Sequence, residues 1–162
     1  GLDPYRMAAR GILAGIVAFS AIIFAAPLDS TALFFGGAGG IGLGAGLFAV
    51  STLHAAMTMP TGGKAGAGLA LGAWGAAQAT AAGLSIFFGG SLRDVVGHLA
   101  TSGALGSAMT DPALGYSFVY HLEIGLLFAT LAVLGPLVRV RPLQASQPRA
   151  SDDRFGIVEF PT

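Results

Sequence analysis

From Ala65 to Gly90 the chain runs 26 residues without a charge, and glycine recurs throughout the run. A helix rises about 1.5 Å per residue, so roughly 20 such residues cross the hydrocarbon of a bilayer. In water so much glycine would make a poor helix. In lipid the helix forms anyway, because an unpaired backbone N–H or C=O finds no water to bond. At about 100° per residue, Gly68, Gly72, Gly75, Ala79 and Gly83 fall in one stripe, the small-residue spacing that lets helix backbones approach. Trp74 and Gln78, four residues apart, share a different face near the middle of the run.

A mid-span Trp–Gln face is unusual, because Trp prefers the membrane interface and an amide needs partners. Two readings stand side by side. One is an interhelical hydrogen bond with bulk filling a gap. The other is the wall of a cavity or a pigment contact.

The remaining sequence repeats the membrane signal. Of 162 residues, 54% are hydrophobic and 10% charged, with a mean hydropathy of +0.74. A soluble domain carries roughly 25% charged residues, so the fold class is an all-α membrane protein. The formal net charge is +0 and does not suggest nucleic acid. With no cysteine, thiolate metal sites, disulfides and cysteine nucleophiles are excluded. The opening Gly1-Leu2-Asp3-Pro4 does not read as a signal-peptide start, so a piece of a longer or processed polypeptide is expected.

Four spans are predicted, at about 7–26, 32–57, 65–90 and 116–138. Pro4 is a start signal for the first, and Ser30, after the Pro27-Leu28-Asp29 turn, caps the second. In the second span Gly36, Gly40 and Gly44 are four apart and form another close-packing seam. His54 lies five full turns beyond Gly36, so it is expected to face another helix or an internal cavity. Pro60, Gly62, Gly63 and Lys64 form the loop into the third span. Residues 91–115 read as an interfacial connection ending in an Asp111-Pro112 turn. Tyr116 and Tyr120 form an interface belt, Gly135-Pro136 loosens the end of the last span, and 139–162 is a solvated tail.

Four crossings put both ends on one side. Arg6, Arg10, Lys64, Arg139, Arg141, Arg149 and Arg154 lie there, against Arg93 alone on the other. The positive-inside rule then places both termini in the cytoplasm and 91–115 in the periplasm or its equivalent.

Specific runs carry a family resemblance. They include Gly46-Leu47-Phe48-Ala49-Val50, the stretch from Leu69 to Gly83 with Gly72-Ala73-Trp74-Gly75-Ala76-Ala77-Gln78-Ala79 at its centre, and Gly89-Gly90-Ser91-Leu92-Arg93-Asp94. Gly115-Tyr116, Val119-Tyr120-His121-Leu122-Glu123 and Leu134-Gly135-Pro136-Leu137-Val138-Arg139 continue it. Over residues 3–140 the chain resembles the PucC/LhaA family. The resemblance implies a twelve-span major facilitator fold of which these are the last four spans, with the remaining spans of the same protein as partners. It also implies delivery of bacteriochlorophyll, held transiently, and assembly of light-harvesting antenna polypeptides in the intracytoplasmic (inner) membrane of a phototrophic bacterium.

The polar groups within the spans are few. Glu123 sits about two turns into the last span and is costly unless paired or protonated; Arg93, on the same membrane side, is its expected partner. It reads either as a lock on the last helix or as the proton-coupling group of a transporter half. Arg93-Asp94 reads as a solvated pair or a packing clamp. No direct metal site is expected, but a neutral imidazole can ligate the magnesium of a chlorin ring. His54 and His121 are candidates, against the plainer reading of hydrogen-bonded helix contacts, whereas His98 in the connection suits surface bonding. The glycine runs lack the Lys-Ser/Thr of a phosphate loop, and no Ser–His pair has an orienting acid, so no enzyme activity is expected. Three functions follow: an antenna assembly and pigment-delivery factor, a proton-coupled secondary transporter half, or a structural subunit of a reaction-centre–antenna complex.

Overall fold

The computed structural model describes residues 3–59 and 64–140, which form four helices: α1 (Pro4–Ala25), α2 (Thr31–Met57), α3 (Lys64–Thr101) and α4 (Leu114–Val140). The 60–63 loop and the tail beyond Val140 lie outside the described residues. By length and composition α1, α2 and α4 are each able to cross a membrane, whereas α3 is not among these. The protein is an all-α membrane protein. The expected crossing at 65–90 lies inside α3, where glycine adds no hydropathy and Gln78 subtracts from it.

The helix ends follow from local chemistry. Asp3 caps α1, its Oδ1 accepting the Tyr5 N–H at 2.9 Å with Pro4 as the first helical residue. Ser30 Oγ accepts the Leu33 N–H at 3.2 Å to start α2. Between them Asp29 takes a left-handed backbone (φ 46), which Asp tolerates better than most side chains. Asp111 Oδ1 accepts the Ala113 N–H at 2.8 Å ahead of α4. Pro136 is accommodated inside α4, which continues to Val140.

One boundary differs. The helix runs through Gly89-Gly90 to Thr101, so the connection is 102–113 rather than 91–115. Glycine inside a helix costs about 1 kcal/mol and does not by itself end one. The stop is Gly103 at φ 75, with Gly103 N–H donating to Ala100 O and Ala104 N–H to Leu99 O, the paired bonds of a Schellman cap.

The helices run antiparallel to their neighbours in a closed order. α1 packs on α2 and α4, and α3 packs on α4 and α2; among the described residues neither diagonal pair makes a close backbone approach. The tightest joint is α1 on α2. Ala8, Gly11, Ile12, Gly15, Ala18, Ile22 and Ala25 make one buried stripe on α1 at three- and four-residue spacing. Opposite them stand Gly37, Gly44 and Ser51 of α2, one every two turns. A Cβ at Gly44 would lie 2.7 Å from the Gly11 carbonyl oxygen, and one at Gly11 would lie 2.8 Å from the Gly44 carbonyl oxygen. The two backbones touch where both lack a side chain. In lipid this close dispersion contact is what holds helices together.

The glycine seam of α2 is therefore Gly37–Gly40–Gly44. A Cβ at Gly40 would meet Ala18 Cβ at 2.9 Å, but at Gly36 nothing lies within 4 Å. Gly36 is one position, about 100°, off the packed face. On α3 the stripe Gly68, Gly72, Gly75 and Gly83 likewise has nothing within 4 Å among the described residues, so no helix of this chain fills it.

Where α3 meets α4 the fit depends on Gly115. A Cβ there would collide with the Arg93 carbonyl oxygen. The same joint brings Gly89 to Val119 and Gly97 to Pro112.

Candidate functional site

The polar groups of the spans do not converge on one point; they lie along the faces of α2, α3 and α4. Trp74, half-buried on α3, donates its indole N–H to Thr52 Oγ1 of α2 at 3.2 Å. Thr52 is held in turn by Phe48 O at 2.9 Å and Ala49 O at 3.1 Å. The plainer of the two Trp74 readings, an interhelical hydrogen bond, is therefore present. One turn on, the Gln78 amide is half-buried and has no hydrogen-bond partner among the described residues.

Arg93 does not reach Glu123. Its Nε donates to Asp94 Oδ1 at 2.9 Å, and its NH1 donates to the Tyr116 hydroxyl at 2.9 Å. The guanidinium also lies 4.9 Å from the centre of the Tyr116 ring. The Arg93–Asp94 pair is solvent-accessible and contributes little by itself. Its Tyr116 branch ties α3 to α4 directly above the Gly115 contact. Aromatic packing continues inward from there: Tyr116 to Tyr120 at 6.4 Å between ring centres, and Tyr120 to Phe19 of α1 at 5.8 Å.

Glu123 is half-buried on α4 and has neither an ion pair nor a hydrogen bond among the described residues. Arg93, its expected partner, is engaged elsewhere because the Asp94 and Tyr116 oxygens are nearer.

The histidines differ sharply. His54 is exposed, so it faces neither a packed helix nor a cavity of this chain, as expected of a residue sharing the open Gly36 face. Nothing among the described residues orients its ring. His98 is also exposed, near the end of α3. His121 is exposed too, but its Nδ1 lies 2.7 Å from the carbonyl oxygen of Ser117, one turn back. A carbonyl can only accept, so Nδ1 carries the proton. In the neutral ring Nε2 then holds a free lone pair. That is the arrangement of a ligating histidine, with one nitrogen anchored to a backbone carbonyl and the other turned outward. Among the described residues no group of three or more His, Asp or Glu is placed to hold a free metal ion. A macrocycle that already supplies four nitrogens needs only one such imidazole, so the group His121 presents fits.

Two partners in this geometry escaped the sequence. Thr52 had no signal, since its pairing with Trp74 depends on how α2 and α3 pack. Ser117 had one: it stands four residues before His121, where its carbonyl must face that side chain.

Comparison with known proteins adds the following. A family model described as "PUCC protein" matches residues 1–141. The chain is 56% identical over all 162 residues to an "Uncharacterized protein in puhA-bchM intergenic region" of Rhodobacter capsulatus, covering 33% of that protein. It is 43% identical over 139 residues to "Protein PucC" of Cereibacter sphaeroides, 86% of this chain and 29% of the other. To "Protein PucC" of Rhodobacter capsulatus it is 40% identical over 141 residues, again 86% and 29%. The chain thus spans about a third of the length of the curated relatives it matches. No solved structure matches.

Proposed function

The chain belongs to the PUCC protein family, and on that premise we propose that it is the closing segment of a membrane protein that passes bacteriochlorophyll to light-harvesting antenna polypeptides during their assembly. The observation that carries this reading is His121. Its Nδ1 is anchored on Ser117 O, and its Nε2 is left free on an exposed face of an apolar helix. When bound, the pigment would supply the magnesium that accepts this nitrogen. The protein's own part is to fix the imidazole's tautomer and direction. Exposure suits a carrier better than a permanent holder, because a pigment on an open face can leave.

We further propose that α1 to α4 are the last four of twelve spans of a major facilitator fold. The threefold greater length of the relatives supports this, and so does the antiparallel order, which brings the first and last described helical ends to one end of the bundle. With Arg6 and Arg10 at that end, the reading puts both termini in the cytoplasm of a phototrophic bacterium, in its photosynthetic membrane. The handover involves no bond change in the protein and requires no catalytic group.

Gentle isolation of the full-length protein from phototrophically grown cells is expected to bring down bacteriochlorophyll, identifiable after extraction, or antenna polypeptides. A preparation that carries neither would overturn the reading.

A second reading, a proton-coupled transporter, has one observation in its favour: the unpaired, half-buried Glu123. A carboxylate in a span without a partner is costly, and such groups mark ion and proton paths. Under that reading Glu123→Gln abolishes substrate-driven proton uptake in vesicles and leaves antenna levels unchanged. A normal proton signal in the variant, or a fall in antenna, removes it.

A further inference from the structure

His121 offers one nitrogen, but a nitrogen alone does not seat a flat ring; the side chains around it do. At about 100° per residue, Phe118, Gly125 and Phe128 all fall within about 60° of His121 on α4. All four residues are exposed. The residues of α4 that meet other helices lie elsewhere. Val119 approaches Gly89 of α3 and Leu127 approaches Gly15 of α1, each about 120° or more around the helix from His121. Side chains on a helix lean toward its N-terminus. His121 does so, with Nδ1 2.7 Å from the Ser117 carbonyl oxygen, and the same rule directs Phe128 back over the turn that holds position 125. Between His121 and Phe128 the residue closest to this face is Gly125, where a Cβ would meet nothing within 4 Å among the described residues. The face is a shallow saddle, with rings at its ends and bare backbone between them.

We propose that this saddle is the seat of the pigment: Gly125 is the gap that admits the macrocycle, and Phe118 and Phe128 are the rests for its rim. The inference rests on the carrier reading of His121 and adds the residues that decide which ligand fits. A ring of four pyrroles is wider than one helical turn, about 5.4 Å, so an imidazole that holds its centre needs the next turn free of a side chain. Gly125 stands in that turn. Phe118 and Phe128 are ten residues apart, about 15 Å along the axis, one on each side of the histidine. Aromatic side chains stack by face or edge on a flat conjugated ring, which adds to the burial of their apolar area. The histidine also selects among occupants. An apolar helix packed on this face would bury Nε2 without a partner, which costs free energy, and an acyl chain gains nothing from it. A flat ring with a metal at its centre supplies the partner.

The test titrates bacteriochlorophyll into the full-length protein in nanodiscs and reads binding by absorbance. Gly125→Leu keeps the His121 nitrogen and fills the gap; it is expected to weaken binding about tenfold or more, and Phe118→Ala with Phe128→Ala about tenfold, the change that about 1.4 kcal/mol gives. Gly42→Leu, on α2, is expected to bind as the wild type does. A second readout follows the imidazole itself. Diethyl pyrocarbonate acylates a neutral imidazole nitrogen, and peptide mass spectrometry locates the product. Without pigment, His121 is expected to react equally in the wild type and in Gly125→Leu; with pigment added, it is expected to be protected in the wild type alone. Should Gly125→Leu not fold, the phenylalanine variant and the wild-type protection decide. Wild-type affinity in either folded seat variant, with pigment lost from His121→Leu, overturns the seat and leaves the carrier reading standing. A His121 that resists the reagent in pigment-free wild type also overturns the seat, because another part of the polypeptide then covers this face. A wild type that binds no pigment overturns both.

Discussion

His121→Leu is expected to strip bacteriochlorophyll from the isolated full-length protein, lowering retained pigment by more than the about 10–100-fold that losing only the group that aims a metal ligand costs. Leucine keeps the bulk and the helix and removes the nitrogen lone pair together with the Nδ1 bond to Ser117 O. The side chain is exposed and its one hydrogen bond is to a carbonyl within its own helix, so folding should be little affected. His54→Leu serves as the comparison. His54 is also exposed, but nothing among the described residues holds its ring in one direction, so the variant is expected to keep its pigment. Absorbance of the purified proteins, normalised to polypeptide, reads both. Pigment lost from the His54 variant and kept by the His121 variant would show that the carrier face has been assigned to the wrong helix.

The second large effect is structural. Gly44→Leu should cost about 3 kcal/mol or more and leave little folded protein, because overpacking a tight joint exceeds the usual range when backbone is what must move. The new Cβ would sit 2.7 Å from Gly11 O and 3.0 Å from Gly15 N, neither of which is the end of a flexible side chain. Gly42→Leu, two residues away, meets nothing within 4 Å among the described residues and should not destabilise, losing a helical glycine being worth up to about 1 kcal/mol in its favour. Thermal unfolding of the detergent-solubilised full-length protein separates the two. Equal stability of the variants would mean that α1 and α2 do not meet backbone to backbone at this point.

Much of the fold was readable from residues alone, for identifiable reasons. A run of apolar residues of span length has few alternatives in lipid, so α1, α2 and α4 fall close to the expected ranges. Ser30 caps α2 and Pro4 opens α1 as expected, whereas the Asp3 cap was not singled out from the sequence. What the pattern could not fix is which glycine faces a neighbour. With 26 glycines in the chain, several four-residue stripes compete, and Gly36 and Gly37 differ by one position. The choice is made by where Ala18 and Ile22 of α1 arrive, which is a tertiary fact. His54 shares the Gly36 side and meets no helix among the described residues. The end of α3 was misread because Gly89-Gly90 looks like a break, whereas only a glycine forced to positive φ, Gly103, supplies one. For the site, the order of the helices placed Arg93 and Glu123 toward the same end of the bundle. It could not show that Asp94 and Tyr116 stand nearer to the guanidinium.

The uninterrupted α3 has a mechanical consequence. Its 38 residues measure about 57 Å, nearly twice the roughly 30 Å of hydrocarbon. It is fastened at two places, to Thr52 by the Trp74 indole and to the head of α4 through Arg93 and Gly115. Under the proposed twelve-span arrangement, a helix longer than the layer it crosses, and pinned at two heights, would act as a lever. A sideways push on its overhanging end, by a docking polypeptide for instance, would be felt at the other pin as a tilt, without any helix having to bend.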